Sequence, residues 1–84
     1  MVVTLTQYEM SVLFKQDPNT EGDGGFQSLL VSLQRRINRA TGDVDLTAKD
    51  LEKIPRYAFD YQNGGWEQRL KDIFTRTFGP NLGR

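Results

Sequence analysis

The sequence predicts an α+β domain, mainly helical, in which an N-terminal β segment packs with about three amphipathic helices. Three observations carry this reading. Phe26, Leu29, Leu30, Leu33, Ile37 and Ala40 recur at helical spacing. Leu46-Thr47-Ala48-Lys49-Asp50-Leu51 has the chemistry of a helix start. The chain opens on Val2-Val3-Thr4-Leu5-Thr6, rich in β-branched residues. At 84 residues the chain makes one domain, 1–84. A chain this short buries only a little over half of its unfolded surface, which leaves room for an oligomer.

Val2 to Thr6 and Tyr8 to Phe14 read as one bent strand or a hairpin, with Met10, Val12 and Phe14 at a two-residue period. A lone strand cannot stand by itself. Its partner is expected within this stretch, at Asp43-Val44-Asp45, or in another chain, and a homodimer is one such arrangement. Residues 16–25 (QDPNTEGDGG) are expected to form a mobile acidic loop, because nearly every position is a breaker or turn former. Asp17, Asn19, Glu21 and Gly22 touch the first half of a calcium-loop pattern. Ser28 stands where that pattern needs a bidentate Glu, so no metal is expected there.

A helix is predicted over Phe26 to Ala40, closed by Gly42, with Arg39 against its negative end. Val31 lies off the apolar stripe and is expected to be exposed. The next helix starts near Ala48. Thr47 is its predicted N-cap, Asp50 the reciprocal partner, and Leu46 with Leu51 the hydrophobic staple. Pro55 lacks an N–H and crowds the preceding turn, so this middle helix is expected to break near Ile54. Arg56 to Tyr61 would then form a second short piece. Asn63-Gly64-Gly65 is a turn. Trp66, Leu70, Ile73, Phe74 and Thr77 share one face of a last helix that ends at Gly79-Pro80. Residues 81–84 are expected to be a flexible tail. No internal repeat is read from the sequence.

Composition narrows the chemistry. There is no cysteine and no histidine, so thiolate chemistry, Cys-based zinc and the commonest catalytic base are absent. No nucleophile motif or phosphate-binding loop occurs. Asp43, Asp45 and Asp50 are the nearest approach to a hard-cation site, yet each already has a capping or turn role. A non-enzymatic protein with no catalytic residues, no cofactor and no metal is therefore expected. No apolar run reaches transmembrane length and Met1 to Val12 lacks a signal-peptide pattern, so no membrane partner and a cytoplasmic location are expected.

Eleven basic and eleven acidic residues cancel, but in blocks. Residues 1–26 are acidic. Arg35, Arg36 and Arg39 follow as a basic block. Residues 43–52 are acidic again, and 53–84 basic. Alternating blocks pair with one another at the surface or create a bipolar face that steers docking. Two surfaces follow. Arg56, Tyr57, Tyr61 and Arg69 combine the residue types that dominate protein-binding hot spots. Trp66 and Phe74 are assigned to the core, since they lie on the apolar helical face. Arg35, Arg36, Arg39, Arg69 and Arg76 would be the phosphate contacts of a nucleic-acid binder.

Two segments, KQDPNTEGDGGFQSLL (Lys15 to Leu30) and DLEKIPRYAFDYQNGGWEQRLKDIF (Asp50 to Phe74), resemble small proteins carried by bacterial phages and mobile elements. The resemblance implies a class that includes non-enzymatic inhibitors of host machinery, anti-CRISPR proteins among them, and small DNA-binding regulators. It carries no individual residue role. The expectation is a protein-binding module, an inhibitor acting by surface occlusion on a host protein or nucleoprotein complex in the bacterial cell. The alternatives are a helical DNA-binding regulator and a phage structural subunit.

Overall fold

A computed structural model describes all 84 residues. Strand β1 (Val2–Thr4) leads into helix α1 (Gln7–Leu13), a 3₁₀ helix (Pro18–Asp23) and helix α2 (Gly25–Arg36). Strand β2 (Asp43–Asp45) leads into helix α3 (Ala48–Phe59) and helix α4 (Gly64–Phe78). The fold is α+β and mainly helical. The two strands form one antiparallel ladder with Val3 opposite Val44, so β1 finds its partner inside the chain. Both of these valines turn into the core, while Val2, Thr4, Asp43 and Asp45 face outward.

Tyr8 to Leu13 is helical, with Phe14 as its C-cap, which corrects the strand expected over Tyr8 to Phe14. Thr6 accepts a hydrogen bond from the Glu9 N–H at 3.1 Å, and the Glu9 carboxylate accepts one from the Thr6 N–H at 2.8 Å. This reciprocal cap outweighs the β propensity of a short run. Glu9, Val12, Leu13 and Gln16 are the buried positions, a helical rather than a two-residue spacing.

Residues 16–25 are not an open loop. Asp17 caps the 3₁₀ helix by accepting the Asn19 N–H, and Pro18 occupies its first turn. The 3₁₀ helix packs along α2, and Glu21 reaches Arg35 at 2.8 Å. Val31, expected to be exposed, is fully buried, so α2 has a second apolar side. Helix α2 also ends at Arg36, earlier than Gly42. Asn38 takes over the turn there, accepting the Ala40 and Thr41 N–H groups with its side chain. Its own N–H donates to the Asp43 carbonyl. Gly42 holds φ +83°, and a Cβ there would meet the Leu5 carbonyl oxygen, while the Gly42 carbonyl accepts the Leu5 N–H at 2.9 Å.

Pro55 does not break α3. The helix runs through it as one element, with Ile54, Pro55, Tyr57 and Ala58 all buried. Proline in a helix interior costs about 3 kcal/mol. Here the apolar ring lies inside the protein, and burial of this helix face offsets that cost. The end of the chain is likewise ordered by packing. Leu82 is 2% exposed, and Arg84 makes two hydrogen bonds to Asp60, at 2.6 and 2.9 Å. Neither feature fits a flexible tail.

An internal repeat also emerges. Val3, Leu5, Thr6 and Glu9 recur as Val44, Leu46, Thr47 and Asp50, at an offset of 41 positions. Gly24, Gly25, Phe26, Leu30, Leu33 and Arg36 recur as Gly64, Gly65, Trp66, Leu70, Ile73 and Arg76, at an offset of 40. The chain is thus two βαα units around an approximate twofold axis. Equivalent residues meet on that axis. Val3 pairs with Val44 at one end, and Phe26 stacks on Trp66 at the other, with 4.8 Å between ring centroids and planes 7° apart.

Candidate functional site

The aromatic end of the axis is where three helix ends converge. Glycine at the start of α2 lets α3 come close, since a Cβ on Gly25 would lie 1.8 Å from the Tyr57 hydroxyl. Tyr57 stacks on Tyr61 at 5.2 Å and meets Trp66 edge-on at 6.0 Å. Tyr61 also leans on Trp66, at 5.7 Å. Asn63 caps α4 by accepting the Trp66 N–H, which sets the position of the indole. Aromatic pairs in such offset and edge-on geometries hold one another rigidly.

The four residues expected to bind a partner have different fates. Tyr61 is 51% exposed and is the accessible ring of the cluster. Arg56 is half-buried, lies over the Tyr57 ring at 5.1 Å and pairs with Glu52 at 3.3 Å. Its Nε is buried without a hydrogen-bond partner. Tyr57 is buried, which corrects its assignment to the surface. It wedges between Gly25, Tyr61 and Trp66, and that is a packing role. Arg69 lies away from this group and donates to Gln16 Oε1 at 2.7 Å. Trp66, assigned to the core, is only partly buried, while Phe74 is wholly so. The cluster that the structure assembles is therefore Arg56, Tyr61 and Trp66 over a buried floor of Phe26 and Tyr57. Phe26 had no place in the expected site. Its signal in the sequence is the repeated Gly-Gly-aromatic triplet.

The arginines expected to meet phosphate are largely committed within the chain. Arg76 donates to both Glu9 oxygens, at 2.9 to 3.3 Å, and to the Thr4 carbonyl at 2.6 Å. Arg36 pairs with Asp50 at 2.9 Å and donates to the Asp45 carbonyl at 2.9 Å. Arg35 pairs with Glu21, and Arg39 lies over the Phe14 ring at 4.3 Å. Burial pushes the Glu9 carboxyl up, but the bonds from Arg76 and Thr6 outweigh it and hold it below its ordinary value. Asp50 is held down in the same way, against burial, by Thr47 and Arg36.

Two depressions complete the surface. An apolar cleft of about 210 Å³ lies among Met1, Leu51, Ile54, Phe78, Leu82 and Gly83. A polar groove of about 250 Å³ runs between α1 and α4, lined by Val12, Lys15, Gly65, Gln68, Arg69 and Asp72. No three acidic side chains converge on a point that would hold a metal ion. No helix is long and apolar enough to cross a membrane. Comparison with known proteins returns no match among family models, curated proteins or solved structures.

Proposed function

We propose that this chain is a non-enzymatic protein-binding module that docks through Tyr61, the open edge of Trp66 and Arg56. One observation carries the reading. Tyr61 presents half of its surface while stacked on Tyr57 and packed against Trp66, so an exposed aromatic is held in place before any partner arrives. Rigid aromatic and arginine anchors lose little entropy on binding, which is why they dominate hot spots. The Arg56 guanidinium beside them offers donors to a carboxylate or carbonyl of the partner. Such a module acts by covering a surface. Occlusion of a host protein or nucleoprotein complex is the form of this action that the resemblance to phage-borne proteins implies.

The test is affinity capture from a bacterial lysate with the wild-type chain, Tyr61→Ala and Arg56→Ala, read by mass spectrometry. A partner held at fixed stoichiometry by the wild type and lost, about tenfold or more, by both variants supports the surface. Equal capture by all three would sink it. Duplex-DNA anisotropy at about 50 and 200 mM salt separates the DNA-regulator reading, which demands steeply salt-dependent binding.

A further inference from the structure

The two units of the repeat treat one cation differently. In the second unit, Arg56 on α3 is neutralised by Glu52, one turn back, at 3.3 Å. The equivalent residues of the first unit are Lys15 and Ser11. Serine has no charge to offer, and its hydroxyl donates to the Tyr8 carbonyl at 2.6 Å. Lys15 is left exposed and without an ion pair. A second uncompensated cation lines the same groove between α1 and α4. Arg35, Arg36, Arg56, Arg76 and Arg84 each have a carboxylate partner. Arg69 has only the neutral Gln16, whose Oε1 accepts its Nη1–H at 2.7 Å. Gln16 is itself buried, and its amide donates to the Thr20 hydroxyl at 2.6 Å. The guanidinium is therefore held in place while keeping its full charge. Its equivalent in the first unit is Leu29, a core residue, so this arginine departs from the repeat.

From this we infer that the groove of about 250 Å³ between α1 and α4 is a binding site for an acidic side chain of a partner polypeptide, its carboxylate seated between Lys15 and Arg69. The repeat points to the chemistry, because the cation equivalent to Lys15 already takes a carboxylate. Charge complementarity sets how much is needed. Lys15 and Arg69 share the lining with one acidic residue, Asp72, which is turned to Gln68 and accepts its amide N–H at 2.8 Å. One carboxylate brings the lining to neutrality, whereas a phosphate dianion would overshoot it. The Arg69 fork is tied to Gln16 through Nη1 and keeps its other donors for an incoming oxygen. Gly65 adds no side chain to block the approach. The volume is below the roughly 300–1,000 Å³ of a drug-sized pocket and fits one side chain. The groove shares no residue with the Tyr61 surface, so the two stand or fall separately.

The test is a titration of the full chain at low salt with the peptide acetyl-Gly-Glu-Gly-amide and its glutamine and phosphoserine counterparts, followed by amide NMR. Saturable shifts are expected at Gly65, Gln68 and Arg69 with a dissociation constant on the order of 10 mM. The glutamate peptide should bind about tenfold tighter than the glutamine one, the worth of hydrogen bonds to a charged group. Lys15→Gln, a change at an exposed position that leaves the fold intact, should weaken binding about threefold to fivefold. Lys49→Gln removes the same charge from an exposed site on α3 outside the groove and should leave binding unchanged. Ser11→Glu restores the carboxylate that the second unit has, gives Lys15 a partner one turn back and should weaken the peptide as Lys15→Gln does. Tyr61→Ala should leave peptide binding at the wild-type level. Absence of saturable shifts, equal binding of the glutamate and glutamine peptides, tighter binding of the phosphoserine peptide, or equal losses in Lys15→Gln and Lys49→Gln overturns the proposal.

Discussion

Arg36 and Arg76 do the same job on opposite edges of one two-stranded sheet. Each donates to a strand carbonyl, Asp45 for Arg36 and Thr4 for Arg76. Each also grips the acidic residue of a capping box, Asp50 or Glu9. The exchange is reciprocal, because Arg36 on α2 secures the strand and helix of the second unit and Arg76 on α4 those of the first. Three-residue strands would otherwise present open edges, and each guanidinium satisfies an outward carbonyl that water or another strand would take.

Arg76→Ala strips the ion-pair partner from a buried Glu9 and should lower the stability of the fold. Arg36→Ala should act the same way through Asp50. Urea unfolding followed by circular dichroism reads both. Glu9→Gln combined with Arg76→Met should cost less than Arg76→Ala alone, since no unpaired charge is left buried. An unchanged urea midpoint for Arg76→Ala, as for an ordinary surface change, would reduce this contact to decoration.

Acid should weaken the protein through the same two carboxyls. Glu9 and Asp50 are both held below their ordinary values in the fold. As pH falls, the unfolded chain takes up protons first, so stability drops. The urea midpoint should be level from pH 7 to about 5 and fall below that, as the ordinary Asp and Glu range near 4 is crossed. Asp60 is also held down, by Arg84, but that exposed pair should add little. Glu9→Gln should make the acid limb shallower.

Leu82 should behave as a core residue. Leu82→Ala is expected to cost about 2–5 kcal/mol, and removal of residues 81–84 at least as much. A thermal melt compares both with the wild type. An unchanged midpoint after truncation would mean that the end of the chain contributes nothing to the core.

Gly25 and Tyr57 should be coupled. Gly25→Ala drives a methyl into the Tyr57 ring, whose nearest carbon would lie 2.5 Å away, and overpacking of this kind costs about 1–3 kcal/mol. Tyr57→Leu should cost stability by itself yet tolerate Gly25→Ala, giving a double mutant better than the sum of the singles by at least about 1 kcal/mol. Strict additivity in denaturant titrations would contradict the close approach.

Much of this molecule was legible residue by residue. Thr47 and Asp50 form the reciprocal cap that their spacing foretells, because the partners of a capping box lie within one turn. The apolar face of α4 and the buried side of α2 follow from periodicity alone. The same local signal was available at Thr6 and Glu9, where the β-branched residues just before it pointed to a strand instead. In the candidate site, Tyr61 and Arg56 were readable as residue types suited to an interface.

What the sequence by itself determined is the helical character, the caps, the two valine-bearing strand segments and the lack of histidine and cysteine chemistry. All of these rest on interactions within a few residues or on composition. Only the tertiary structure decided that β1 pairs with β2, that Pro55 sits inside a continuous helix, and that Leu82 belongs to the core. It also decided that Tyr57 is buried and that Arg36 and Arg76 serve the sheet. Those outcomes depend on contacts between residues far apart in the chain, where burial of a shared core outweighs local preference.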